Sequence, residues 1–182
     1  MAVVEETMKQ TEQMTERSST LLEKIIGAAE DDAKGEFIVP LSSEKLSKLK
    51  TAIEENFDAI DETTVGTAYA IMEKGAKDGQ DTIVILIQTV LRLYASISLS
   101  RRCSTDEGDY LSEILSLDPD EWETRVRQCY ENKQVSEDSF KERLQATMED
   151  VMFAFPVGSY TQRLFAEYLK EFEERSARVF AT

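Results

Sequence analysis

The sequence predicts an all-α protein, on the basis of three observations. Residues 83–99, IVILIQTVLRLYASISL, form the most apolar stretch of the chain, and twelve of these seventeen residues are apolar. The segments on either side carry apolar residues at spacings of three and four, which is the helical period. No segment alternates apolar and polar residues in the way that is typical of a half-buried strand. We therefore expect about eight helices around one buried central helix.

The central stretch is predicted to be a buried helix because its apolar residues lie on every face. A transmembrane span is one alternative, but a span needs about 20 apolar residues, and Gln88, Arg92, Ser96 and Ser98 interrupt a shorter run. A buried strand is the other alternative, but the stretch is too long for a typical strand. Arg92 is predicted to be a structural charge that reaches a carboxylate or the protein surface, since an unpaired buried ion is costly. An anion-binding role is the alternative for Arg92.

The N-terminal half of the chain contains signals for helices before the central one. Residues 1–20 are polar and predict either a helical arm or a disordered lead, and Gly35 marks a break. Residues 37–41, around Pro40, predict an extended apolar connection that packs against the core. Ser42 or Ser43 is expected to cap the next helix. The apolar face of the helix that follows the polar lead is formed by Leu22, Ile25, Ile26 and Ala29.

The next helices also carry start and stop signals. Asp61 is predicted to cap a helix that ends at Gly75 and the Asp78-Gly79 turn. Asp81 is predicted to cap the central helix, which is expected to run to about Arg101.

The C-terminal half predicts four further helices. A short one carries Tyr110 to Leu115. Asp118 then caps the next, with Pro119 in the first position and Glu121 completing a capping box. Ser136 and Ser159 begin the last two helices, which Pro156 and Gly158 separate. The predicted inward-facing residues of the last three helices are Trp122, Val126, Cys129, Tyr130, Phe140, Leu144, Met148, Val151, Met152, Phe155, Leu164, Phe165, Tyr168, Leu169 and Phe172. Because no repeat period is visible, we expect a globin-like or irregular helical bundle rather than a solenoid.

Charge and composition limit the classes of function. The chain of 182 residues has 21 Lys and Arg against 36 Asp and Glu, which gives a net charge of −15. This charge repels nucleic acids and anionic membranes, so that a basic protein surface is the favoured complement. Plain solubility is the favoured meaning of the charge, and binding of a basic protein surface is the alternative. The polar, acidic N-terminus does not resemble a signal peptide, and we expect a cytoplasmic location, or the plastid stroma if a transit peptide has been removed.

Few residues offer catalytic chemistry. The absence of histidine excludes His-dependent triads and His-ligated zinc or haem. The acidic run Asp118, Asp120, Glu121 and Glu123 lacks the spacing of an EF-hand and is explained by capping. Cys103 follows two arginines, which favour a reactive thiolate, but the end of a helix opposes one, and a plain thiol is expected. We therefore predict a non-enzymatic protein without a cofactor or metal.

The order of several segments resembles the phycobiliproteins, the globin-like light-harvesting subunits. The resemblance covers about residues 21–178 and places Arg92 on the characteristic arginine of that family. The matching segments are LLEKIIGAAEDDAKGEFIVPLSSEKLSKLK, TAYAIMEKGAK, TVLRLYAS, VRQCYE and LFAEYLKEF. A fainter resemblance, in DYLSEIL and TMEDVMFAF, connects the chain to a plastid and cyanobacterial family, domain of unknown function 760.

The bilin-attachment motif of the phycobiliproteins is missing. Its C-x-R-D positions fall on Ile83, Ile85 and Leu86, which implies a pigment-free relative. Because the family pairs through its N-terminal helices, residues 1–35 are expected to form a partner-binding helical arm and residues 36–182 an all-α globular domain.

The resemblance implies an assembly, adaptor or regulatory factor of photosynthetic antennae such as the phycobilisome. Its partner is expected to be basic or antenna-related, or to be a dimer mate held through the arm. Leu22, Ile25 and Ile26 are the expected anchors, unless they only cover the chain's own core. The alternative function is noncovalent binding of a small molecule or tetrapyrrole.

Overall fold

The computed structural model describes residues 2–30, 37–103 and 109–181. These residues form eight α-helices and no strand, which confirms the predicted all-α class. The helices are α1 (Ala2–Gly27), α2 (Ser43–Glu55), α3 (Glu62–Lys77), α4 (Asp81–Cys103), α5 (Tyr110–Leu115), α6 (Trp122–Glu131), α7 (Glu137–Ala154) and α8 (Tyr160–Phe180). Two short 3₁₀ turns, Phe57–Ala59 and Pro119–Glu121, precede α3 and α6. The predicted break at Gly35 lies outside the described residues.

The chain divides into two compact units, Met1–Tyr94 and Ala95–Thr182, and the division falls within α4. The predicted boundary between residues 35 and 36 lies among residues that the structure does not describe. Unit 1 contains α1, α2, α3 and the first part of α4. Unit 2 contains the last part of α4 and the helices α5 to α8.

The helix α4 corresponds to the predicted central helix. Residues 94–99 are all buried, so that every face of this section is covered. Nearer the N-terminus, Ile85, Gln88 and Arg92 are exposed, and the prediction of burial on every face is therefore wrong for that section. By length and composition α4 could cross a membrane, but 56% of its most apolar window is buried within the protein. Core helices of globular proteins meet the same criteria.

In unit 1, α1 packs against α2 and α3. The start of α2 is capped by Ser42, whose hydroxyl accepts the Lys45 amide at 3.3 Å. Asp61 caps α3 as predicted. All four helices contribute buried apolar side chains to the unit: Leu22, Ile25, Leu49, Ile53, Val65, Ala68, Tyr69, Leu86, Ile87, Val90, Leu91 and Tyr94.

Three local expectations in unit 1 are wrong. The Asp78-Gly79 turn follows the end of α3 as predicted, but Gly75 lies inside the helix, where an added Cβ would come within 3.3 Å of the Val84 side chain. Asp81 is the first residue of α4 rather than its cap. Ile38, expected to pack against the core, is 61% exposed.

Unit 2 is built around an aromatic cluster. Trp122 is fully buried, and its ring meets those of Tyr168 and Phe172 edge-on at 5.2 and 5.0 Å between centroids. Tyr168 also donates a hydrogen bond to the Leu115 carbonyl at 3.1 Å, and Ser96 donates to the same oxygen at 2.8 Å. These bonds tie α4 and α8 to the end of α5. The unit therefore has its own packed core.

The predicted start of α6 differs in detail. Asp118 does act as a cap, accepting the Asp120 amide at 2.9 Å, but it caps the 3₁₀ turn that precedes α6. Glu121 makes no side-chain capping bond. The residues Pro119–Glu121 therefore form a tight first turn instead of regular helix.

Candidate functional site

The connection between α7 and α8 exposes several large apolar side chains. Met152 is 51% exposed, Phe153 88%, Val157 92% and Tyr160 46%. We call these four residues the apolar tip. Single exposed apolar residues are common on protein surfaces. Four of them fall within residues 152–160, and clustered exposed apolar side chains are typical of interaction sites.

The tip is anchored from beneath by Phe155. The Phe155 ring packs edge-on against the Phe165 ring, with 5.2 Å between their centroids. The Arg102 guanidinium lies over the Phe155 ring, 5.1 Å from its centroid. Arg102 also pairs with Asp150 at 3.0 Å, so that its charge is matched by a carboxylate. Phe155 is thus held in place while Phe153, two residues before it, points to solvent.

Gln162 in α8 fixes the main chain of the connection. Its side-chain nitrogen donates to the carbonyl oxygens of Met152 at 3.0 Å and Phe155 at 3.2 Å. Its side-chain oxygen accepts the Gly158 amide at 3.2 Å. The residue is 6% exposed. One buried amide therefore satisfies three main-chain groups and gives the tip a defined shape.

Gly158 makes the tight turn between the two helices. Its φ is +81°, a value that residues with a Cβ rarely adopt. The Ser159 amide donates to the Pro156 carbonyl at 3.0 Å, and the Ser159 hydroxyl then accepts the Gln162 amide as the cap of α8. The sequence PVGS thus produces a short, ordered connection that displays Val157.

The predicted inward positions of α7 explain why the tip was missed. Met152 was expected to face the core, and its 51% exposure makes that prediction wrong. Phe153 was assigned to no face. It lies between Val151, which is buried, and Phe155, which packs inward. The position of Phe153 outside the inward-facing face of α7 is the sequence signal that predicts an exposed apolar residue.

Cys103 lines a polar cavity of about 200 Å³ in unit 2, together with Arg143, Thr147 and Asp150. The thiol is 3% exposed, and its sulfur lies 3.8 Å from the Thr147 hydroxyl. Burial raises the pKa of the Cys103 thiol above its ordinary value, although Thr147 and Arg143 oppose the shift. The thiol is therefore neutral near pH 7, which is unfavourable for nucleophilic chemistry.

Cys129 is also buried, at 2% exposure, and burial raises the pKa of its thiol. Neither cysteine forms a disulfide. Within residues 2–30, 37–103 and 109–181, no group of three or more Cys, Asp and Glu side chains is placed to hold a metal ion. The acidic run at Asp118 instead supplies the cap already described.

The residues predicted to anchor a partner lie in unit 1. Leu22 and Ile25 are 3% and 0% exposed, and Ile26 is partly exposed. Leu22 and Ile25 belong to the core of unit 1, in line with the alternative that these residues cover the chain's own core. The role of all three residues in partner binding stays a prediction. Arg92 is exposed at the surface of α4. Its role as a structural charge also stays a prediction.

Comparisons with protein families, curated proteins and solved structures find no match to this chain. The resemblance to phycobiliproteins and the globin-like topology therefore stay predictions.

Proposed function

We propose that this chain is a non-enzymatic helical interaction protein, an assembly, adaptor or regulatory factor that docks on a protein partner through the apolar tip. The observation that carries the proposal is the exposure of Phe153 and Val157, at 88% and 92%, on a connection with a defined shape. Burial of apolar area on a partner is favourable at about 25 cal/mol per Å². A few residues that become fully buried at the centre of an interface carry most of its binding energy.

The order of the connection supports the proposal. Because Gln162 and Phe155 hold the main chain, binding does not require the tip to be ordered first. A surface that is already ordered loses less conformational entropy when a partner binds. A flexible apolar loop lacks this advantage.

A protein partner fits this surface better than an anionic membrane does. Glu149 lies three residues before the tip in α7, and the chain carries a net charge of −15. Both oppose approach to an anionic lipid surface. The sequence resemblance suggests antenna proteins as the first partners to test, and that identity rests on the resemblance alone.

The test is an affinity purification of the tagged full-length chain from its native cells, followed by mass spectrometry and by titration of the purified partner. The variant Phe153→Ser, Val157→Ser removes the two most exposed anchors. We expect it to fold normally and to lose the partner that the unsubstituted chain captures.

A matched control is Ile38→Ser, Ile85→Ser, which removes two exposed apolar side chains from unit 1 that lie outside the predicted arm. This control is expected to keep the partner. Equal capture by the tip variant and the unsubstituted chain would overturn the proposal, as would a chain that captures no partner at all.

A further inference from the structure

A second apolar surface lies between α7 and α8, near the beginning of α7 and the end of α8. It is a groove of about 410 Å³. We call it the α7–α8 groove. Its apolar residues are Phe140, Leu144, Ala177 and Phe180, and its polar residues are Lys141, Glu142, Gln145 and Glu173. The tip residues, at the other end of α7 and the beginning of α8, do not contribute to it.

The apolar base of the groove is held by ring contacts. Phe140 packs against Phe180 and Phe172, with centroids 5.4 and 5.9 Å apart, and Phe180 also meets Tyr130 edge-on at 5.3 Å. Phe140 and Leu144 are nearly buried, whereas Ala177 is exposed. The groove therefore has a fixed aromatic base, and the small side chain of Ala177 leaves room above it.

The charge at the rim is negative on both sides. Glu142 in α7 and Glu173 in α8 line the groove and are exposed, and neither forms an ion pair within the described parts of the chain. The single lysine of the groove, Lys141, pairs with Glu137 at 2.6 Å. An occupant therefore meets two carboxylates, one on each helix, that form no ion pair with the described residues.

We infer that the α7–α8 groove binds the apolar face of a basic amphipathic helix, with Glu142 and Glu173 receiving its Lys or Arg side chains. Amphipathic helices commonly bind in this way, by placing their apolar side chains in a groove between helices. The charge decides between possible occupants. A second copy of this chain carries the same net charge of −15 and is repelled. An anionic membrane is repelled for the same reason.

The test uses a synthetic peptide of about 18 residues, long enough to form a helix when bound. Leucines at i, i+3, i+4 and i+7 give it one apolar stripe, and lysines fill the other positions. Its binding to the full-length chain is measured by fluorescence anisotropy at physiological salt. Two comparison peptides are a scrambled sequence that destroys the apolar stripe and a version in which Glu replaces every Lys. We expect saturable binding of the first peptide only.

Two variants locate the binding. Glu142→Lys with Glu173→Lys reverses both rim charges, and Ala177→Trp fills the groove without a change of charge. Each is expected to weaken binding by about tenfold or more, the effect of losing about 1.4 kcal/mol. The charge control is Glu12→Lys with Glu23→Lys, two exposed positions on α1 that change the net charge equally. It is expected to bind within about twofold of the unsubstituted chain.

Several outcomes would overturn the inference. One is equal binding of the scrambled peptide, which would indicate attraction by net charge alone. Another is unchanged affinity in the rim variant or in Ala177→Trp. In a third, the chain binds an apolar dye but not the peptide, and Ala177→Trp blocks the dye. That result would assign the groove to a small molecule. The tip variant is expected to keep the peptide, so that failure of the groove and failure of the tip are distinguishable.

Discussion

Arg143 in α7 pairs with Asp109, the residue that caps α5. One Asp109 oxygen accepts the Leu111 amide at 2.9 Å, and the other accepts the Arg143 guanidinium. Arg143 also donates to the main-chain carbonyl of Cys103, at the end of α4, at 3.2 Å. This pair therefore joins the end of α4 and the start of α5 to α7 within unit 2. The Asp109 side chain is 7% exposed and that of Arg143 is 34% exposed.

The first prediction concerns Asp109→Ala. The substitution removes the cap of α5 and leaves Arg143 without its carboxylate. We expect the free energy of unfolding to fall by about 2–3 kcal/mol, between the values for exposed and buried ion pairs, with a contribution from the lost cap. Urea unfolding followed by circular dichroism measures the loss.

The control for Asp109 is Glu137→Ala, which breaks the exposed pair with Lys141 on α7. An exposed pair of this kind contributes about 0–1 kcal/mol. Similar losses for the two variants would show that the Arg143–Asp109 pair has no special role.

The second prediction is that alkaline pH destabilises the fold. Burial raises the pKa values of the Cys103 and Cys129 thiols in the folded protein. Above the ordinary thiol pKa of about 8.5, the unfolded chain therefore loses thiol protons that the folded chain retains. Because the unfolded state then binds fewer protons, the free energy of unfolding must fall as pH rises from about 8.5 through the folded-state values.

Unfolding midpoints in urea between pH 7 and pH 10 measure this effect. Cys103→Ser removes one thiol and is expected to make the alkaline decline shallower. Rapid reaction of both thiols with Ellman's reagent in the folded protein at pH 7 would contradict the burial on which this prediction rests.

Much of the helical pattern could be predicted because it depends on local signals. Ser42, Asp61, Ser136 and Ser159 each cap the helix that was expected to follow them. Their short oxygen-bearing side chains satisfy amides within the same segment, and so the sequence alone contains the information. Gly75 shows the limit of such local signals. The reason for a glycine at this position is the close approach of Val84, which lies in another helix.

The candidate site depends on contacts that the sequence does not display. In the sequence, Gln162 is an ordinary polar residue of α8, and only the structure places it beside the carbonyl groups of Met152 and Phe155. The α7–α8 groove likewise requires Glu142 and Glu173, on two different helices, to line the same surface. Helical periodicity predicts which side of one helix is apolar, but not which part of that side a neighbouring helix leaves uncovered.

The third prediction concerns the cap of α3. The Asp61 carboxylate accepts the Thr64 amide at 2.9 Å and the Thr64 hydroxyl at 3.0 Å. Asp61→Ala is expected to lower the free energy of unfolding by about 1 kcal/mol, which is typical of a lost N-cap. Asp61→Asn is the control, because asparagine caps helices about as well as aspartate. Equal losses in both variants would indicate that the negative charge, rather than the capping bond, is important.

The fourth prediction concerns Gln162, whose amide shapes the apolar tip. Gln162→Ala leaves two main-chain carbonyls and the Gly158 amide without this partner, and we expect a loss of about 2 kcal/mol in the free energy of unfolding. Hydrogen exchange should become faster at Gly158, and partner capture through Phe153 and Val157 should weaken although both side chains remain. The control is Gln145→Ala, an exposed amide on α7 that bonds only to Glu149 among the described contacts, with an expected change below about 0.5 kcal/mol. If Gln162→Ala lowers stability but leaves partner capture unchanged, then the tip binds without needing its ordered shape, and only the exposed side chains contribute.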